Sequence, residues 1–518
     1  MSQFKKLASD TALYGISTIL ARMINFLLAP IQTYAFGKPA ELSSNVEFYA
    51  YIGVLLALYT LGLETAFFRF AVRNPEQRQR VFNDSLSLVL LVSILPTAAI
   101  IFWASTIAQA LDYKGQERFI VWSALLVAID AIMAIPFARL RAENKARQFV
   151  QAKVINVLIV VSLNVFFLIL CKDIYEGDYL FGLRPLIQYM YDPGIGPGYI
   201  FLANLIGNAF YLLILWRAFA GFRFRINRAE LWVLLIYAFP IMLTNLVGVI
   251  NSLTDRIFLR HLLPEGFYAG ISSADALGIY GNCYKLSVFM ALAIQSFKFA
   301  ADPFFFSQAE DKNAPNLLAR VTKWFLIVCV ILWVGASLNL DVLGLVLSKR
   351  YRVGLDIVPL LLLANLFLGI YYNISFWFKL SDKTKFGTLI TAVGAGVTII
   401  GNILLIPVMG YMGCAIAFLI SSFVMMAMCY FLGEKHYPVP YDVRSAVGYV
   451  VGAGLLIYLS WQFPIANLWI AVPVHLTLCG LFVASVLFIE RDTFQPLIAR
   501  FRKRNNRVTL KQSSPNSK

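Results

Sequence analysis

Two basic residues lie inside long apolar stretches of the sequence, where an isolated charge is costly. Arg22 is fifteen residues into the apolar segment Leu7 to Tyr34, and Lys285 lies within the segment Ala276 to Phe299. A cation at the centre of a membrane costs roughly 2.5–3.5 kcal/mol on insertion scales, so it normally faces a protein interior or a watery cavity. A planar guanidinium and a mobile ammonium at similar depths suit a phosphate or pyrophosphate group. We therefore take this pair as a candidate binding site for an anionic headgroup.

Two acidic residues in apolar stretches allow a different role for these cations. Asp130 lies near the middle of the segment Ile120 to Leu140, where a carboxylate is expected to pair with a cation, to carry a proton or to bind Na⁺. Glu64 lies just before Arg69, so an ion pair at the membrane surface is the simplest expectation for it. A buried pairing of either membrane cation with one of these acids would make that cation structural.

Four charged residues lie at the predicted mouths of the protein. Asp255 and Arg256 end the seventh apolar span on the outside and form a candidate outer gate. Arg69 and Lys298 flank the inner mouth, where they can attract an anionic headgroup. Anchoring of the inner loops explains these two cations equally well.

The first span of each predicted half of the chain contains a proline, Pro30 in the first half and Pro240 in the second. Each removes a backbone donor from its helix, which is tolerated where neighbouring groups satisfy the freed carbonyl. Both are candidate hinges, and a static kink is the alternative for each.

The composition places all these residues in a membrane protein. Of the 518 residues, 59% are hydrophobic and 14% are charged, and the mean hydropathy is +0.72. Soluble globular domains are far more polar. We predict an all-α polytopic protein with fourteen transmembrane helices of about 20–27 residues each. The predicted helices begin near Leu7, Glu47, Asn83, Arg118, Phe149, Gly198, Glu230, Ala276, Leu317, Asp356, Phe386, Met412, Val443 and Ala466.

The basic residues are distributed unevenly between the two sides of the membrane. If the N-terminus is cytoplasmic, the inner segments carry 32 lysines and arginines and the outer loops carry 10; adding Arg22 and Lys285 gives all 44. Because positive residues favour the inner side, both termini are predicted to be cytoplasmic. The net charge of +16 is thereby explained by membrane orientation, and no nucleic-acid partner is expected.

The sequence contains none of the motifs that indicate catalysis or metal binding. The six cysteines and three histidines are scattered, so we expect neither disulfides nor a metal centre. There is no phosphate loop, no G-x-S-x-G elbow and no HExxH motif. The longest outer connection, Lys172 to Pro197, is too short for a catalytic domain, and the first apolar run is too long for a cleavable signal peptide. We therefore expect no enzyme, no catalytic residues and no cofactor.

Two pairs of matching segments indicate an internal repeat. The sequence from Phe68 to Ala71 (FRFA) matches that from Phe297 to Ala300 (FKFA). Leu140 to Lys145 matches Leu380 to Lys385, and each is followed by an apolar span containing an asparagine. Duplicated bundles commonly hold a transported substrate between their halves, and chance similarity is the alternative. The predicted domains are a first lobe of helices 1–6, a second lobe of helices 7–12, helices 13–14 and a basic tail, at residues 1–229, 230–440, 441–490 and 491–518.

One stretch resembles a known family. Asn402 to Ser422, NILLIPVMGYMGCAIAFLISS, resembles the N-x-x-L-I-P-x-x-G-x-x-G-A-A-x-A connection of the polysaccharide transporter branch of the multidrug/oligosaccharidyl-lipid/polysaccharide (MOP) exporter superfamily. Cys414 replaces the first alanine of that motif, which is a small-for-small change. Further matches are Asp255 to Leu259, Gly278 to Tyr280 and Phe299 to Phe304. The resemblance covers about residues 7 to 490 and implies two pseudo-symmetric six-helix lobes, two appended helices and alternating access of a central cavity.

The resemblance also implies a cargo and a cellular setting. The expected cargo is an undecaprenyl-pyrophosphate-linked oligosaccharide, flipped from the cytoplasmic to the periplasmic leaflet of the bacterial inner membrane for O-antigen, capsule or exopolysaccharide synthesis. A lipid II flippase and a cation-coupled drug exporter are the alternatives. We expect a monomer whose partners are the lipid-linked glycan, membrane lipids and polysaccharide polymerase machinery. The membrane potential, H⁺ or Na⁺ is expected to drive transport.

Overall fold

The protein is built from α-helices throughout the part of the chain that its structure describes. The computed structural model describes residues 26–491 except 178–179, 308–312, 382, 384 and 466, together with the isolated residues 19 and 23. Helices of the first half are α1 (26–35), α2 (Pro39–Thr60), α3 (Leu63–Arg73), α4 (Arg78–Phe102), α5 (Ala104–Ala110), α6 (Glu117–Ala142), α7 (Ala146–Val165), α8 (Lys172–Glu176), α9 (Arg184–Met190) and α10 (Gly198–Ile214). Helices of the second half are α11 (Arg228–Leu262), α12 (Ser273–Tyr284), α13 (Val288–Ser307), α14 (Ala314–Leu338), α15 (Leu340–Leu343), α16 (Val358–Ile374), α17 (Phe376–Leu380), α18 (Lys385–Met409), α19 (Tyr411–His436), α20 (Val443–Gln462) and α21 (Leu468–Ile489).

Twelve helical spans in these described ranges are long and apolar enough to cross a membrane. Nine of the twelve begin within three residues of their predicted starts. The sixth predicted span is the shorter apolar helix α10, with 17 residues, and most of the first lies outside the described residues. The all-α polytopic fold is therefore confirmed, and the count of fourteen helices stays a prediction.

Both spans of the first repeat pair are interrupted. Leu61 and Gly62 adopt left-handed backbone conformations, with φ of 48° and 70°, between α2 and α3. A turn of 3₁₀-helix, Lys285–Ser287, separates α12 from α13. The predicted single span from Ala276 to Phe299 is found as Ser273–Lys298, and the 3₁₀ turn inside it was not predicted, because hydropathy alone does not distinguish such a turn from the α-helix around it. A short 3₁₀ stretch inside a helix often marks a hinge.

The second repeat pair also has matching structure. In each case the matching segment ends one helix and leads into the next, α6 into α7 and α17 into α18. Each following helix buries one asparagine completely, Asn164 in α7 and Asn402 in α18. Asn164 donates its amide to the carbonyl of Val160 at 2.8 Å, and Asn402 donates to that of Thr398 at 2.7 Å. This parallel supports the predicted repeat, and the lobe boundaries stay predictions.

Helices α2 and α12, the second helix of each presumed half, pack directly against each other. Gly278 permits the contact, because a Cβ at this position would lie well inside 3.0 Å of the Pro39 carbonyl. Asp275 adds a hydrogen bond by accepting the backbone N–H of Ala40 at 2.9 Å. Small residues allow two backbones to approach in this way. The two helices therefore meet at the ends that the predicted orientation places outside.

The described chain divides into two compact units. One unit consists of Met1–Leu318 and Leu343–Pro440, and the other of Ala319–Val342 and Tyr441–Lys518. Most of α14 therefore belongs with the C-terminal helices α20 and α21, although the sequence analysis assigned it to the second lobe.

An ion cluster around the buried carboxylate of Glu490 joins three helices of the second unit. Lys323 Nζ lies 2.9 Å from Asp442 Oδ2 and 2.5 Å from Glu490 Oε1. The hydroxyl of Tyr449 donates to the same Glu490 oxygen at 2.7 Å. Hydrogen bonds from Lys323 and from Ser445 lower the pKa of Asp442 to about 2. The cluster thus ties α14 to both C-terminal helices.

Removing Lys323 should destabilise the protein more than removing an exposed lysine. Glu490 is only 5% exposed, and taking a cation from a buried carboxylate costs about 1–3 kcal/mol. We expect Lys323→Ala to lower the melting temperature in detergent, while Lys435→Ala, at an exposed position, leaves it unchanged. Equal melting temperatures for the two variants would contradict this role of the cluster.

Candidate functional site

Lys285 begins the 3₁₀ turn that follows α12, near the middle of the span Ser273–Lys298. Its Nζ donates to two amide oxygens, Gln32 Oε1 of α1 at 3.0 Å and Asn282 Oδ1 at 2.9 Å. Asn282 is fixed in turn, because its own amide donates to the Gly278 carbonyl at 2.8 Å. No carboxylate among the described residues lies within 4 Å of the ammonium group. Neutral dipoles therefore hold this cation and leave its charge available to an anion.

Lys285 lines a cavity of about 750 Å³, which we call the lysine cavity. Its walls come from α1, α11, α12, α13, α16 and α19. The lining mixes polar with aromatic side chains, namely Ser252, Ser287, Gln295 and Asn365 with Phe26, Tyr284, Tyr372 and Phe418. Such a lining can both hydrogen-bond and stack on a polar ligand, and ligand sites commonly occupy about 300–1,000 Å³.

The lysine cavity brings together two of the predicted cations. Lys298 lines the same cavity as Lys285, and its Nζ lies 4.2 Å from the centre of the Tyr372 ring. Arg22 lies outside the described residues, so its convergence with Lys285 stays a prediction. Phe26 of α1 is the described lining residue that lies nearest to Arg22 in sequence.

A second cavity, of about 460 Å³, contains Asp130 together with Glu64, Arg141 and Lys153. Asp130 Oδ1 accepts a hydrogen bond from Asn208 Nδ2 at 2.7 Å. In the described ranges no ion pair within 4 Å is formed by Asp130, so its predicted pairing, proton-carrying and Na⁺-binding roles stay predictions. The same ranges contain no group of three or more His, Cys, Asp or Glu side chains that could hold a metal ion.

Lys153 is a half-buried cation that the sequence analysis did not single out. It lies in the second turn of α7, and its Nζ is 4.2 Å from the ring centre of Phe137 and 4.9 Å from that of Tyr211. An ammonium over aromatic faces is stabilised by their quadrupoles. The predicted helix that begins near Phe149 already contains Lys153, so the sequence signal for this cation was its position inside a predicted span.

Glu64 pairs with a different cation from the one predicted. Its carboxylate forms a salt bridge with Arg141 at the end of α6, whereas Arg69 lies 4.3 Å from the centre of the Tyr237 ring. The predicted Glu64–Arg69 pair is therefore wrong, because residues five apart do not share a helix face as residues three or four apart do. Arg69 and Lys298 each lie over a tyrosine ring, which supports their equivalence in the repeat. Their role at the inner mouth stays a prediction.

Asp255 and Arg256 lie in the C-terminal part of α11, toward the end that the predicted orientation places outside, and bind the neighbouring helix α12. Asp255 is buried and accepts hydrogen bonds from the Tyr280 hydroxyl and from Arg256. The Arg256 guanidinium lies 4.5 Å from the centre of the Tyr284 ring and donates to the Ser252 carbonyl at 2.6 Å. Both helices belong to the predicted second lobe, so these contacts join neighbours within one lobe. The gate role of the two residues stays a prediction.

Pro30 and Pro240 each lie inside a helix that continues past them, α1 and α11. A threonine follows each proline and returns a hydrogen bond to its own helix. Thr33 donates to the Ala29 carbonyl at 2.9 Å, and Thr244 donates to the Pro240 carbonyl at 2.9 Å. The hinge roles of the two prolines stay predictions.

A charged cluster that the sequence analysis missed joins α2 to α11. Glu47 is completely buried and accepts hydrogen bonds from the Tyr51 hydroxyl at 2.9 Å and the Tyr113 hydroxyl at 2.7 Å. Arg260 Nε lies 3.9 Å from Glu47 Oε2, and His261 Nε2 lies 3.4 Å from Oε1. The predicted span began near Glu47 and so placed this acid at the membrane surface, but α2 begins eight residues earlier.

The arrangement of helices is shared with known membrane transporters. A solved structure of the lipid II flippase MurJ, in an inward closed conformation, superposes with a TM-score of 0.70 at 15% sequence identity and covers 93% of this chain and 100% of its own. A multidrug resistance MATE family transporter of the MOP superfamily, in an inward-facing conformation, gives a TM-score of 0.55 at 15% identity over 80% of this chain and 94% of its own. The chain has the fold of these transporters.

Sequence comparison also finds a relative at low identity. The chain is 22% identical over 382 residues to a protein of Haemophilus influenzae (strain ATCC 51907 / DSM 11121 / KW20 / Rd) named "Lsg locus putative protein 1", which covers 71% of this chain and 83% of that protein. A MOP superfamily transporter from Pyrococcus furiosus superposes with a TM-score of 0.51 at 16% identity, over 83% of this chain and 95% of its own. No protein-family model matches the chain. The superpositions support a common fold. Because the identities are low, the cargo is inferred from the site.

Proposed function

We propose that the protein flips an undecaprenyl-pyrophosphate-linked oligosaccharide from the cytoplasmic to the periplasmic leaflet of the bacterial inner membrane by alternating access. The product would serve O-antigen, capsule or exopolysaccharide synthesis. The observation that carries this proposal is Lys285, a cation in mid-span that lines a cavity of about 750 Å³ and is held by two amide oxygens. In this proposal both termini are cytoplasmic and the protein acts as a monomer, next to polysaccharide polymerase machinery.

The chemistry of the lysine cavity suits a sugar pyrophosphate. Such a headgroup cannot enter hydrocarbon unaided, because its polar groups would lose water without gaining other partners. Lys285 can exchange its bonds to Gln32 and Asn282 for charge-assisted bonds to phosphate oxygens, which are roughly twice as strong as neutral ones. The serine, amide and aromatic side chains of the cavity can hold the sugars.

The prenyl chain of the cargo needs an apolar path. In the second unit, α20 and α21 enclose an apolar groove of about 570 Å³. Small residues, Gly448 and Gly452, leave room along one wall, and Leu456 and Phe482 line the groove. We place the prenyl chain in the lipid and on such apolar surfaces while the headgroup crosses inside the protein.

The membrane potential can drive this transport. With the cytoplasm negative, each negative charge that moves outward gains about 2.3 kcal/mol per 100 mV. A pyrophosphate headgroup is therefore biased toward the outer leaflet without an exchanged ion. Coupling to H⁺ or Na⁺ would use Asp130, whose hydrogen bond to Asn208 holds it at the second cavity.

A lipid II flippase is the second candidate function. The similarity to the MurJ structure, which spans 93% of this chain, favours it. A cation-coupled drug exporter has less support, because the charged groups of the lysine cavity are the two lysines Lys285 and Lys298 and no acid lines it within the described residues. Requirement of the gene for growth would favour the lipid II flippase.

Deleting the gene tests the proposed function. We expect the undecaprenyl-linked repeat unit to accumulate on the cytoplasmic leaflet and the surface polysaccharide to disappear, while the cells continue to grow. A plasmid carrying the wild-type gene should restore surface display. Normal display of surface polysaccharide in a clean deletion would contradict the proposal, and arrested growth with intact polysaccharide would point to lipid II.

A further inference from the structure

The Glu47 cluster holds together parts of the chain that are far apart in sequence. Glu47 lies in the predicted first lobe, and Arg260 and His261 lie at the outer end of α11 in the second. In the described ranges, the contacts within 4 Å between acidic and basic side chains that join sequence-distant residues of the two lobes are those of Arg260 and His261, and the one made by His261 is an ion pair only when its imidazole is protonated. The other contacts on this side pair a charged group with a neutral one, such as Asp275 with the Ala40 N–H at 2.9 Å, or join two neutral groups, such as Gly278 and Pro39.

The burial pattern of the cluster shows how strongly Glu47 is held. The side chain of Glu47 is 0% exposed, that of Arg260 is 18% exposed and that of His261 is 48% exposed. A buried carboxylate needs partners that match its charge. Two tyrosine hydroxyls and the guanidinium supply them, and burial together with Glu47 raises the pKa of the Tyr113 hydroxyl so that it remains a donor. Asp112, which is 85% exposed, lies on the solvent side of Arg260.

We propose that Glu47, Arg260 and His261 form the outer lock of the transport path, in which the Glu47 carboxylate holds the outer ends of α2 and α11 together. This inference rests on the proposed function in one respect: release of cargo to the outer leaflet requires these ends to separate. When they separate, Glu47 loses Arg260 and His261, while Tyr51 of its own helix remains within reach. The charge on Glu47 therefore sets how often the outer side opens.

Spin labels on the two outer loops measure this opening directly. Lys114, between α5 and α6, and Glu265, between α11 and α12, are both exposed, and each follows shortly after a residue of the cluster, Tyr113 or His261. With the six native cysteines replaced, labels at these two positions report the distance by double electron–electron resonance. We expect one short distance in the wild-type background. Glu47→Gln, which keeps the shape of the side chain and removes its charge, should raise a longer-distance population about tenfold.

Controls separate the lock from a general loss of structure. Arg260→Gln should produce the same longer distance, and the double variant should add little to either single change, because both remove one interaction. Glu117→Gln removes a carboxylate that accepts only a nearby backbone N–H, from Gly115, and should change nothing. Unchanged distances in both Glu47→Gln and Arg260→Gln, with melting temperatures near wild type, would overturn the lock.

The measurement is independent of the cargo. Distances are recorded without substrate, so they test the lock even if the protein transports another molecule. Conversely, a wild-type protein that flips the lipid-linked oligosaccharide but shows no change of distance in either variant would keep the proposed function and remove the lock. If the distance changes in the variants but the wild-type protein flips no lipid-linked oligosaccharide, the lock would stand and the proposed function would be removed.

Discussion

Replacing Lys285 by alanine is expected to lower the rate of headgroup flipping at least tenfold, while membrane insertion stays intact. Hydrogen bonds to a charged group contribute about 1.5–3 kcal/mol, which corresponds to roughly a 10- to 150-fold change in rate if the bond forms during transfer. Inside the lysine cavity no acid among the described residues lies within 4 Å to take over this role. The measurement is flipping of a fluorescent prenyl-pyrophosphate oligosaccharide by purified protein in vesicles.

Matched variants separate the charge of Lys285 from its hydrogen bonds. Lys285→Gln keeps a donor for Gln32 and Asn282 but removes the charge, so it should be as slow as alanine. Lys285→Arg keeps the charge and should retain partial activity. Lys145→Ala, in the turn between α6 and α7 where the side chain is 49% exposed, should flip at the wild-type rate. Wild-type flipping by Lys285→Gln would rule out the headgroup contact.

Arg22 offers a companion test of the same site. Arg22→Ala should also slow flipping, and Arg22→Lys should restore it only in part if a forked contact with phosphate matters. Unchanged surface polysaccharide in cells that carry alanine at both positions 22 and 285 would remove the headgroup role of both cations.

Substituting Gly278 by alanine is expected to lower the stability of the protein. A Cβ at Gly278 would meet the Pro39 carbonyl, a backbone atom that no side-chain rotation can move aside. Helices α2 and α12 would have to separate, and overpacking of this kind costs about 1–3 kcal/mol. The change should also disturb the hydrogen bond between Asp275 and the Ala40 N–H, at 2.9 Å. The measurement is the melting temperature of the purified protein in detergent.

Gly248 provides the matched control for this substitution. It lies in α11, and a Cβ there would meet no atom within 4 Å. Gly248→Ala should therefore leave the melting temperature unchanged or raise it slightly, because alanine favours the helix over glycine by about 1 kcal/mol. If Gly278→Ala melted at the same temperature as Gly248→Ala, the close approach of α2 and α12 would contribute nothing to stability.

Most of the helical framework could be predicted from the sequence, because membrane spans are defined by length and hydropathy. The starts of α18, α19 and α20 differ from their predicted starts by one residue or less. The breaks at Gly62 and Lys285 could not be predicted in this way. They depend on backbone conformation within a run of apolar residues, which leaves hydropathy unchanged.

The candidate site was only partly predictable, because charges far apart in sequence find partners that spacing does not reveal. Lys285 stood out as a cation in an apolar span, and the structure places it on a cavity. We predicted that Glu64 pairs with Arg69, but its carboxylate forms a salt bridge with Arg141 of another helix. Glu47 was taken for a surface residue, because α2 extends beyond the apolar run that was used to define its start.

A structure of the protein with its cargo bound tests the central claim most directly. The claim is that Lys285 binds the pyrophosphate of a lipid-linked oligosaccharide. It predicts phosphate oxygens within hydrogen-bonding distance of Lys285 Nζ, with the bonds to Gln32 and Asn282 exchanged or shared. A headgroup bound elsewhere, with both amide bonds of Lys285 intact at 3.0 and 2.9 Å, would contradict it.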